Sequence, residues 1–481
     1  MQPEPGYREA VSFNGYYDAF VAKVAACEPQ WVFLVYMGGD NSLSGYVDAD
    51  LDEMKSVGST CVLTILALVD QDGDHDTRFY EVKRDHLIER PLSDIDPTWG
   101  DELDMSDPSV LSTVTNFVVD QYPAPRLALV PWNHGSGWWL TPPKEGEKGL
   151  IEDKGNLMRM KQFREALEVV TAHRGSNLNL VGFDACLMGM LEVGYEIRGV
   201  ADVMVGSEML VPGEGWPYDT ILADLANSFG MSANELGAVI VDRYGGDYGS
   251  GVTMSALDLA QVSPLATAVS DLALAMNTNK PDIAAVRTAV RQYDVGGPFD
   301  HIDLYNFADL LSQQIPSGPI HDAAIAVLAR MPPVVTAWYP HNDLDHGIAI
   351  YFPEVPERLS GEYNKDTILF AGDTYWDEFL SWYYCHLTLT IDPTSAKAGD
   401  LITFETSWGE TGDPVGLAVT NVNGIPMFAF LLFGTFDVAH KWTVPAVVPP
   451  GLSGLVVTFQ SYGITACGRV DATEPVVVTF L

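Results

Sequence analysis

The sequence predicts an α/β protein with a mostly parallel sheet, followed by a separate all-β sandwich. Apolar runs of strand length, such as residues 31–36 and 127–132, alternate with helix-like stretches in the first two-thirds of the 481 residues. Nearly continuous apolar runs are typical of strands that helices cover on both faces. After residue 386 the helical pattern stops, and short alternating runs broken by Gly, Pro and Asp follow. This change predicts the second domain.

The predicted elements follow one another along the chain. Strands are predicted at residues 31–36, 61–69, 77–82, 127–132, 178–183, 203–206 and 347–352, of which the third alternates like a hairpin partner of the second. Helical spacing of apolar residues predicts helices at residues 43–54, 109–121, 158–172, 187–197, 233–244, 264–276, 303–314 and 321–330. This alternation indicates a parallel sheet between two layers of helices.

We expect three parts in the chain. Residues 1–30 form an N-terminal extension, residues 31–386 form the α/β domain, and residues 387–481 form an immunoglobulin-like β-sandwich. The sandwich carries 8 acidic and 3 basic residues, whereas the rest of the chain carries 57 acidic and 23 basic residues. Most of the negative charge therefore belongs to the larger part.

The formal net charge of −39 restricts the partners of the protein. Such an acidic chain is a poor ligand for nucleic acid or anionic lipid, and it permits basic partners. We expect no membrane span, because no uninterrupted apolar stretch approaches the ~18 residues that a spanning helix needs. The first residues, MQPEPGYREAVSF, lack the features of a signal peptide. An intracellular protein and a removed signal both fit, and the oligomeric state stays open.

The five cysteines are widely spaced and form no CxxC pair, so the sequence predicts neither a zinc site nor a disulfide framework. They are Cys27, Cys61, Cys186, Cys385 and Cys467. Of these, Cys186 alone follows the end of a predicted buried strand. That position distinguishes it from the other four.

Two strand ends carry the residues that predict chemistry. His134 follows the strand at 127–132, and Cys186 follows the strand at 178–183. Ligands of open parallel sheets bind beyond the carboxyl ends of the strands, so both side chains would lie at one edge if these strands are neighbours. A cysteine nucleophile needs a base such as imidazole, and the amides of Gly135 and Cys186 would stabilise an oxyanion. A structural histidine and a small buried cysteine are the alternative interpretation.

Several ordered blocks resemble the clostripain family of cysteine peptidases. The blocks are residues 36–54 (YMGGDNSLSGYVDADLDEM), 127–138 (LALVPWNHGSGW), 182–197 (GFDACLMGMLEVGYEI), 206–222, 301–311, 346–353 and 376–380, so the resemblance covers about residues 30–385. It implies a caspase-like fold, which is an α/β/α sandwich on a mostly parallel sheet. It also implies that His134 and Cys186 form a catalytic dyad within a peptidase domain.

Members of this family cleave after Arg or Lys, so the resemblance implies peptide or protein substrates with a basic P1 residue. Asp184, two residues before the cysteine, is then the expected partner of the basic side chain, because a carboxylate binds guanidinium or ammonium. A second acid is expected after the fifth strand, with Glu214 in PGEGW as the first choice and Glu208 in GSEM as the second. Ordinary loop acids are the alternative for both.

Family members often cleave themselves in the loop after the histidine strand. The corresponding segment, residues 141–156, is polar and carries Lys144, Lys148 and Lys154 in a lysine-poor chain. Such loops are readily cleaved, and Lys148 is the self-cleavage candidate because the small Gly149 follows it. Ordinary solvated lysines are the alternative.

No cofactor is expected to be required, and no metal ligands are assigned. The run from Asp70 to Asp76 resembles part of an EF-hand loop, with Glu81 eleven residues on. However, His75 stands where that loop requires glycine, and Glu81 lies on a predicted strand, which favours a solvated hairpin loop. Some relatives use calcium, so calcium remains an option.

The resulting hypothesis is a cysteine endopeptidase that cleaves after Arg or Lys through a thioester and processes itself. An extracellular or cell-surface location is suggested by the family and by the sandwich. Two alternatives remain open. One is a non-catalytic surface-binding protein with a caspase-like scaffold, and the other is a transpeptidase or ligase that resolves the same thioester with a different nucleophile.

Overall fold

The computed structural model describes residues 28–138, 149–293, 300–385, 387–407, 409, 412–437, 441–465, 470–473 and 475–481. The strands before residue 386 are β1 (Trp31–Gly38), β2 (Leu63–Asp70), β3 (Arg78–Lys83), β4 (His86–Arg90), β5 (Arg126–Trp132), β6 (Ile151–Asp153), β7 (Asn156–Met158), β8 (Leu178–Gly182), β9 (Ala201–Gly206), β10 (Met254–Asp258), β11 (Gln292–Tyr293), β12 (His301–Asp303), β13 (Val335–Tyr339) and β14 (Ala349–Tyr351).

The helices all belong to this same part of the described chain. They are α1 (Val47–Val57), α2 (Pro108–Gln121), α3 (Met160–Arg174), α4 (Leu191–Ile197), α5 (Tyr218–Asn227), α6 (Ala233–Tyr248), α7 (Val262–Met276), α8 (Lys280–Ala289), α9 (Leu304–Gln314), α10 (Pro319–Val334), α11 (Leu369–Asp373) and α12 (Trp376–Cys385).

The main sheet has nine strands in the order β13-β10-β9-β8-β5-β1-β2-β3-β4. The five central strands, from β9 to β2, are parallel, and the outer pairs at both edges are antiparallel. Every residue of β1 and β2 is buried. Side chains of β1 alternate between two cores, since Trp31 and Phe33 lie in one and Val32 and Leu34 lie in the other. The predicted α/β fold with helices on both faces is confirmed.

The expected helix at residues 187–197 begins later than predicted, at Leu191. Leu187 adopts a left-handed backbone conformation with φ of 63°, which interrupts a helix. Gly189 follows, and a Cβ there would lie 2.8 Å from the amide nitrogen of Glu208. The chain after Cys186 therefore runs against the end of β9 before α4 begins.

After residue 386 the described residues form two packed sheets. Their strands are β15 (Thr388–Asp392), β16 (Ser395–Ala396), β17 (Leu401–Ser407), β18 (Pro414–Val422), β19 (Ile425–Thr435), β20 (Lys441–Val447), β21 (Val456–Ile464), β22 (Val470–Ala472) and β23 (Val476–Phe480). One sheet has the order β15-β17-β20, and the other has β16-β23-β21-β18-β19 with β22 beside β21. Phe404 of the first sheet packs on Phe459 of the second. The predicted C-terminal β domain is confirmed, while its boundaries stay a prediction.

Two further features, an apolar helical segment and a disulfide, bear on the cellular location of the protein. Among the described residues, the segment Leu259–Met276 is long enough and apolar enough to cross a membrane, with a mean hydropathy of 1.3. Half of it is buried inside the protein, as in the core helix of a globular domain. Cys61 is disulfide-bonded, which the widely spaced cysteines did not predict.

Candidate active site

The two strands that lead to His134 and Cys186 are neighbours in the sheet. β5 and β8 are parallel, and their pairing continues beyond both strands as a bridge between Trp132 and Asp184. The Asp184 N–H donates to the Pro131 carbonyl over 3.1 Å. His134 and Cys186 each follow this bridge by two residues. They consequently emerge at the same edge of the sheet, as the argument from strand ends predicts.

His134 and Cys186 line one small cavity of about 40 Å³. Its other lining residues come from the ends of β5 and β8 and from two loops, and they are Leu43, Trp132, Asn133, Asp184, Ala185, Val211, Pro212, Gly213 and Gly215. Gly135 lies directly against the cysteine, because a Cβ there would be 2.2 Å from the Cys186 carbonyl oxygen and 2.8 Å from its nitrogen. Only glycine fits this contact, which brings the backbones of the two predicted oxyanion residues together.

The Cys186 side chain is a half-buried thiol. Its Sγ accepts the Val211 N–H over 3.3 Å. The same Sγ donates to the Val211 carbonyl over 3.7 Å. Nε2 of His134 lies 3.0 Å from the Ser42 hydroxyl. Cysteine and imidazole therefore share a cavity in which each has a polar neighbour.

Asn133, for which the sequence predicts no role, fixes the backbone that carries His134. Its Oδ1 accepts the His134 N–H over 2.6 Å and the Glu152 N–H over 3.0 Å. Its Nδ2 donates to the carbonyls of Gly38 and Glu152. One buried amide thus joins the ends of β1 and β5 to the β6–β7 hairpin. No periodic or spacing signal in the sequence identifies it.

Asp184 is 4% exposed and lies under the loop that ends at Trp216. Its Oδ2 accepts the Trp216 N–H over 3.1 Å and the Tyr218 hydroxyl over 2.9 Å. A Cβ on Gly215 would lie 2.8 Å from the same oxygen. Burial raises the pKa of Asp184 to about 7, although the hydrogen bonds from Trp216 and Tyr218 lower it.

A second buried acid, Asp50 of α1, accompanies Asp184 and was missed by the sequence analysis. Its Oδ2 accepts the indole N–H of Trp132, a cavity residue, over 2.5 Å. Burial and then the charge of Asp184 raise the pKa of Asp50 well above its usual range, while the Trp132 hydrogen bond lowers it. We call Asp50 and Asp184 the acid pair. Neither carboxyl is paired with a lysine or arginine among the described residues.

The structure places the two candidates for a second acid differently. Glu214 is exposed, between Gly213 and Gly215 of the cavity wall. Glu208 is 1% exposed and does not line the cavity. Burial and then the charge of Asp303 raise its pKa well above the usual range. Of the two, only Glu214 lies beside the cavity.

Lys148, the self-cleavage candidate, lies outside the described residues. Lys154 is described, and its ammonium lies 2.8 Å from Asp40 Oδ2 and also bonds to Glu102. Oxygens of Asp40, Asp70 and Glu102 lie within 4.8 Å of one another and form the one candidate cation group found in the described part of the chain. We call these acids with Lys154 the Lys154 cluster. The Lys154 ammonium already supplies a positive charge to this cluster. A calcium ion bound by these acids stays a prediction.

The loop from Asp70 to Asp76 joins β2 to β3 as an antiparallel hairpin. Thr77 donates to Asp70 Oδ1 over 2.5 Å, and the Gly73 N–H donates to Asp76 Oδ2 over 3.0 Å. Acids of this loop thus bind donors of the protein itself.

Comparisons with known proteins agree with the resemblance read from the sequence. The sequence model of the clostripain family matches residues 35–382. Clostripain of Hathewaya histolytica is 24% identical over 423 aligned residues, which cover 73% of this chain and 78% of that relative.

Two solved structures share the fold. One is a secreted C11 cysteine protease from Bacteroides thetaiotaomicron in complex with an irreversible peptide inhibitor, with 21% identity over 74% of this chain and 98% of that chain, and a TM-score of 0.54. The other is an inactive zymogen C11 protease from Parabacteroides distasonis, with 21% identity over 73% of this chain and 98% of that chain, and a TM-score of 0.55. The chain belongs to the clostripain family and is a cysteine peptidase.

Proposed function

We propose that this peptidase cleaves peptide and protein substrates after Arg or Lys, with Cys186 as nucleophile and His134 as base. The observation that carries the specificity is the acid pair beside the cavity of Cys186. Buried carboxylates are normally paired with a cation, and this pair has no cationic partner among the described residues. A P1 guanidinium or ammonium supplies the missing charge.

The reaction proceeds in two steps. His134 removes the proton of the Cys186 thiol, and Sγ attacks the carbonyl carbon after the P1 residue. The amides of Gly135 and Cys186 bind the oxyanion that forms. When the C–N bond breaks, His134 returns the proton to the leaving amine, and a thioester remains. Water, deprotonated by His134, then attacks the thioester and releases the free acid and the thiol.

Substrate binding requires a movement of the cavity wall. A cavity of about 40 Å³ holds about three water molecules, which is less than a P1 arginine side chain needs. The wall includes Gly213 and Gly215, and Tyr248 holds Gly215 through a hydrogen bond of 2.8 Å from its hydroxyl to the carbonyl. Glycines allow this loop to change conformation at low cost.

Self-cleavage after Lys148 and an extracellular location complete the proposal. The described residues after this lysine are anchored, because Asn133 binds Glu152 and Lys154 binds Asp40. The downstream segment would thus stay in place after a cut. The disulfide at Cys61 supports an oxidising compartment, and the relative from Bacteroides thetaiotaomicron is described as secreted.

The dyad is tested by Cys186→Ala and His134→Ala, assayed on a fluorogenic peptide with Arg at P1. Each variant is expected to lose at least ~10,000-fold in kcat, because both residues act in the same step. Labelling by an arginyl chloromethyl ketone should require Cys186. His173→Ala is the matched control, since His173 is exposed and pairs with Asp120 on the surface. Wild-type activity in either dyad variant would reject the mechanism.

Self-cleavage is tested by mass spectrometry of the purified chains. Wild type should yield fragments that meet between Lys148 and Gly149, and Cys186→Ala should remain intact. Lys148→Ala should prevent this cut, whereas Lys144→Ala, the matched control in the same segment, should leave it unchanged. Cleavage of Cys186→Ala at the same bond would show that another peptidase makes the cut.

A further inference from the structure

Asp50 occupies a position where a helix normally places an apolar side chain. The buried residues of α1 are Val47, Asp50, Leu51 and Met54, which follow the spacing of one helix face. Asp50 is 1% exposed. Acidic residues are almost never fully buried unless they are paired. Packing of α1 against the core does not explain a carboxyl at this position. Asp50 is therefore a candidate for a functional role.

Two aromatic residues connect the acids of α1 to Asp184, through their backbones as well as their side chains. Trp132 pairs with Asp184 through its backbone and donates its indole N–H to Asp50. Tyr218 donates its hydroxyl to Asp184 and its backbone N–H to Glu53. The acids thus face one another across shared neighbours, and the groups that connect them carry no positive charge.

Two buried carboxyls without a cation cannot both ionise, because each anion opposes the other in a medium of low polarity. Their hydrogen bonds differ. Among the described residues, Asp184 accepts two donors, from Trp216 and Tyr218, whereas Asp50 accepts one, from Trp132. Hydrogen bonds to a carboxylate favour its charged form. The anion is therefore better stabilised on Asp184, and the proton resides on Asp50.

We propose that Asp50 is a positioning residue for P1 specificity, an inference that rests on the proposed function. In the enzyme without substrate, Asp50 and Asp184 share one proton. A P1 guanidinium or ammonium displaces this proton when it binds Asp184. The proton leaves to solvent, and the cation bound at Asp184 then offsets the charge of both carboxylates. Selection of a basic P1 residue is thereby linked to pH through Asp50.

Other titratable groups surround the pair, and a control ligand separates their protons from this one. Glu53 of α1 and Glu214 of the loop are acids, while Tyr218, Tyr244 and Tyr248 approach from α5 and α6. Burial raises the pKa of all three tyrosines, so they remain neutral near pH 7. Because imidazole groups in general exchange protons near neutral pH, the control ligand has the same backbone.

The experiment measures proton release directly, by calorimetry in two buffers with different ionisation enthalpies. The inactive Cys186→Ala chain is titrated with a peptide that has Arg at P1 and with the same peptide carrying neutral citrulline. The arginine peptide should release about one proton more than the citrulline peptide near pH 7. Because the complex holds fewer protons, affinity for the arginine peptide should rise with pH, by up to ~tenfold per pH unit.

Asp50→Asn in the same chain should abolish the extra proton and flatten the pH dependence. Asp48→Asn, an exposed acid of the same helix, should retain both. Equal proton release by the two peptides in the Cys186→Ala chain would overturn the role of Asp50, even if Asn at position 50 prevents folding. Tight binding of the arginine peptide would in that case leave the proposed specificity standing. Failure to bind the arginine peptide at any pH would contradict both.

Discussion

Two groups of largely buried acids lie at the carboxyl end of the main sheet, and they differ in the source of their positive charge. In the Lys154 cluster, Asp40 and Glu102 bind the ammonium of a lysine from the β6–β7 hairpin. The acid pair lies beside the cavity of Cys186 and has no such partner among the described residues.

This difference separates a structural acid group from one that selects a ligand. An acid group that contains its own cation fastens two parts of the chain together, here the hairpin and the end of β1. Burial of an acid group that lacks its own cation costs desolvation free energy, and a bound cation offsets this cost. Position in the fold is similar for both groups, so the counter-charge decides the role.

The largest effect is expected from Asp184→Asn, which removes the anion of the acid pair. Loss of one partner of a buried ion pair costs about 3–5 kcal/mol. We therefore expect kcat/KM to fall by about 150-fold to 5,000-fold for peptides with Arg or Lys at P1. For a citrulline peptide the change should be small, because a neutral side chain does not use the charge.

Glu208→Gln is the matched control, because Glu208 is also a buried acid near Cys186 in sequence but does not line the cavity. It should retain the preference for basic P1 residues. An equal loss with arginine and citrulline peptides in Asp184→Asn would show that Asp184 supports the cavity rather than selecting the substrate.

Lys154→Met tests the other half of the comparison. It removes the ammonium but leaves Asp40, which is 7% exposed, without its cation. We expect Tm to fall by several degrees, while the ratio of kcat/KM for arginine and citrulline peptides stays at the wild-type value. Thermal unfolding and peptide kinetics provide the two measurements.

The variant keeps a non-glycine residue at a position with φ of 47°, so backbone strain does not change. Lys161→Met is the control, since the Lys161 ammonium bonds to the exposed carbonyl of Asp366 rather than to a buried acid. The double variant Lys154→Met, Asp40→Asn should recover part of the lost Tm. Altered P1 preference with unchanged Tm would place Lys154 in the substrate site and remove the distinction.

The central strands were predictable because burial on both faces leaves a nearly continuous apolar run, as in β1 and β5. The edge strands β10 and β13 were not predicted. β10 is five residues long and β13 alternates between buried and exposed residues, so neither gives the long apolar signal. The start of α4 was misplaced because Leu187 adopts a left-handed conformation without a glycine to mark it.

In the candidate site, strand ends and the family resemblance led to His134, Cys186 and Asp184, whose roles remain proposals. Asp50 was missed although its position in the apolar stripe of α1 is visible in the sequence. Its meaning depends on Trp132 and Asp184, which only the folded chain brings near it. Asn133 acts through three hydrogen bonds to the distant residues Gly38 and Glu152, and such contacts leave no local pattern.

The smallest effect is expected from Glu214→Gln, which removes an exposed acid beside the cavity. Charges in water are screened, so we expect only a two- to five-fold rise in KM for basic peptides, with kcat unchanged. The rise should shrink in high salt, since the Debye length falls to about 3 Å at 1 M. Asp202→Asn, an exposed acid near the start of β9 and thus at the opposite end of the sheet, is the control. An effect as large as that of Asp184→Asn, and insensitive to salt, would instead make Glu214 a direct partner of the P1 cation after the loop has moved.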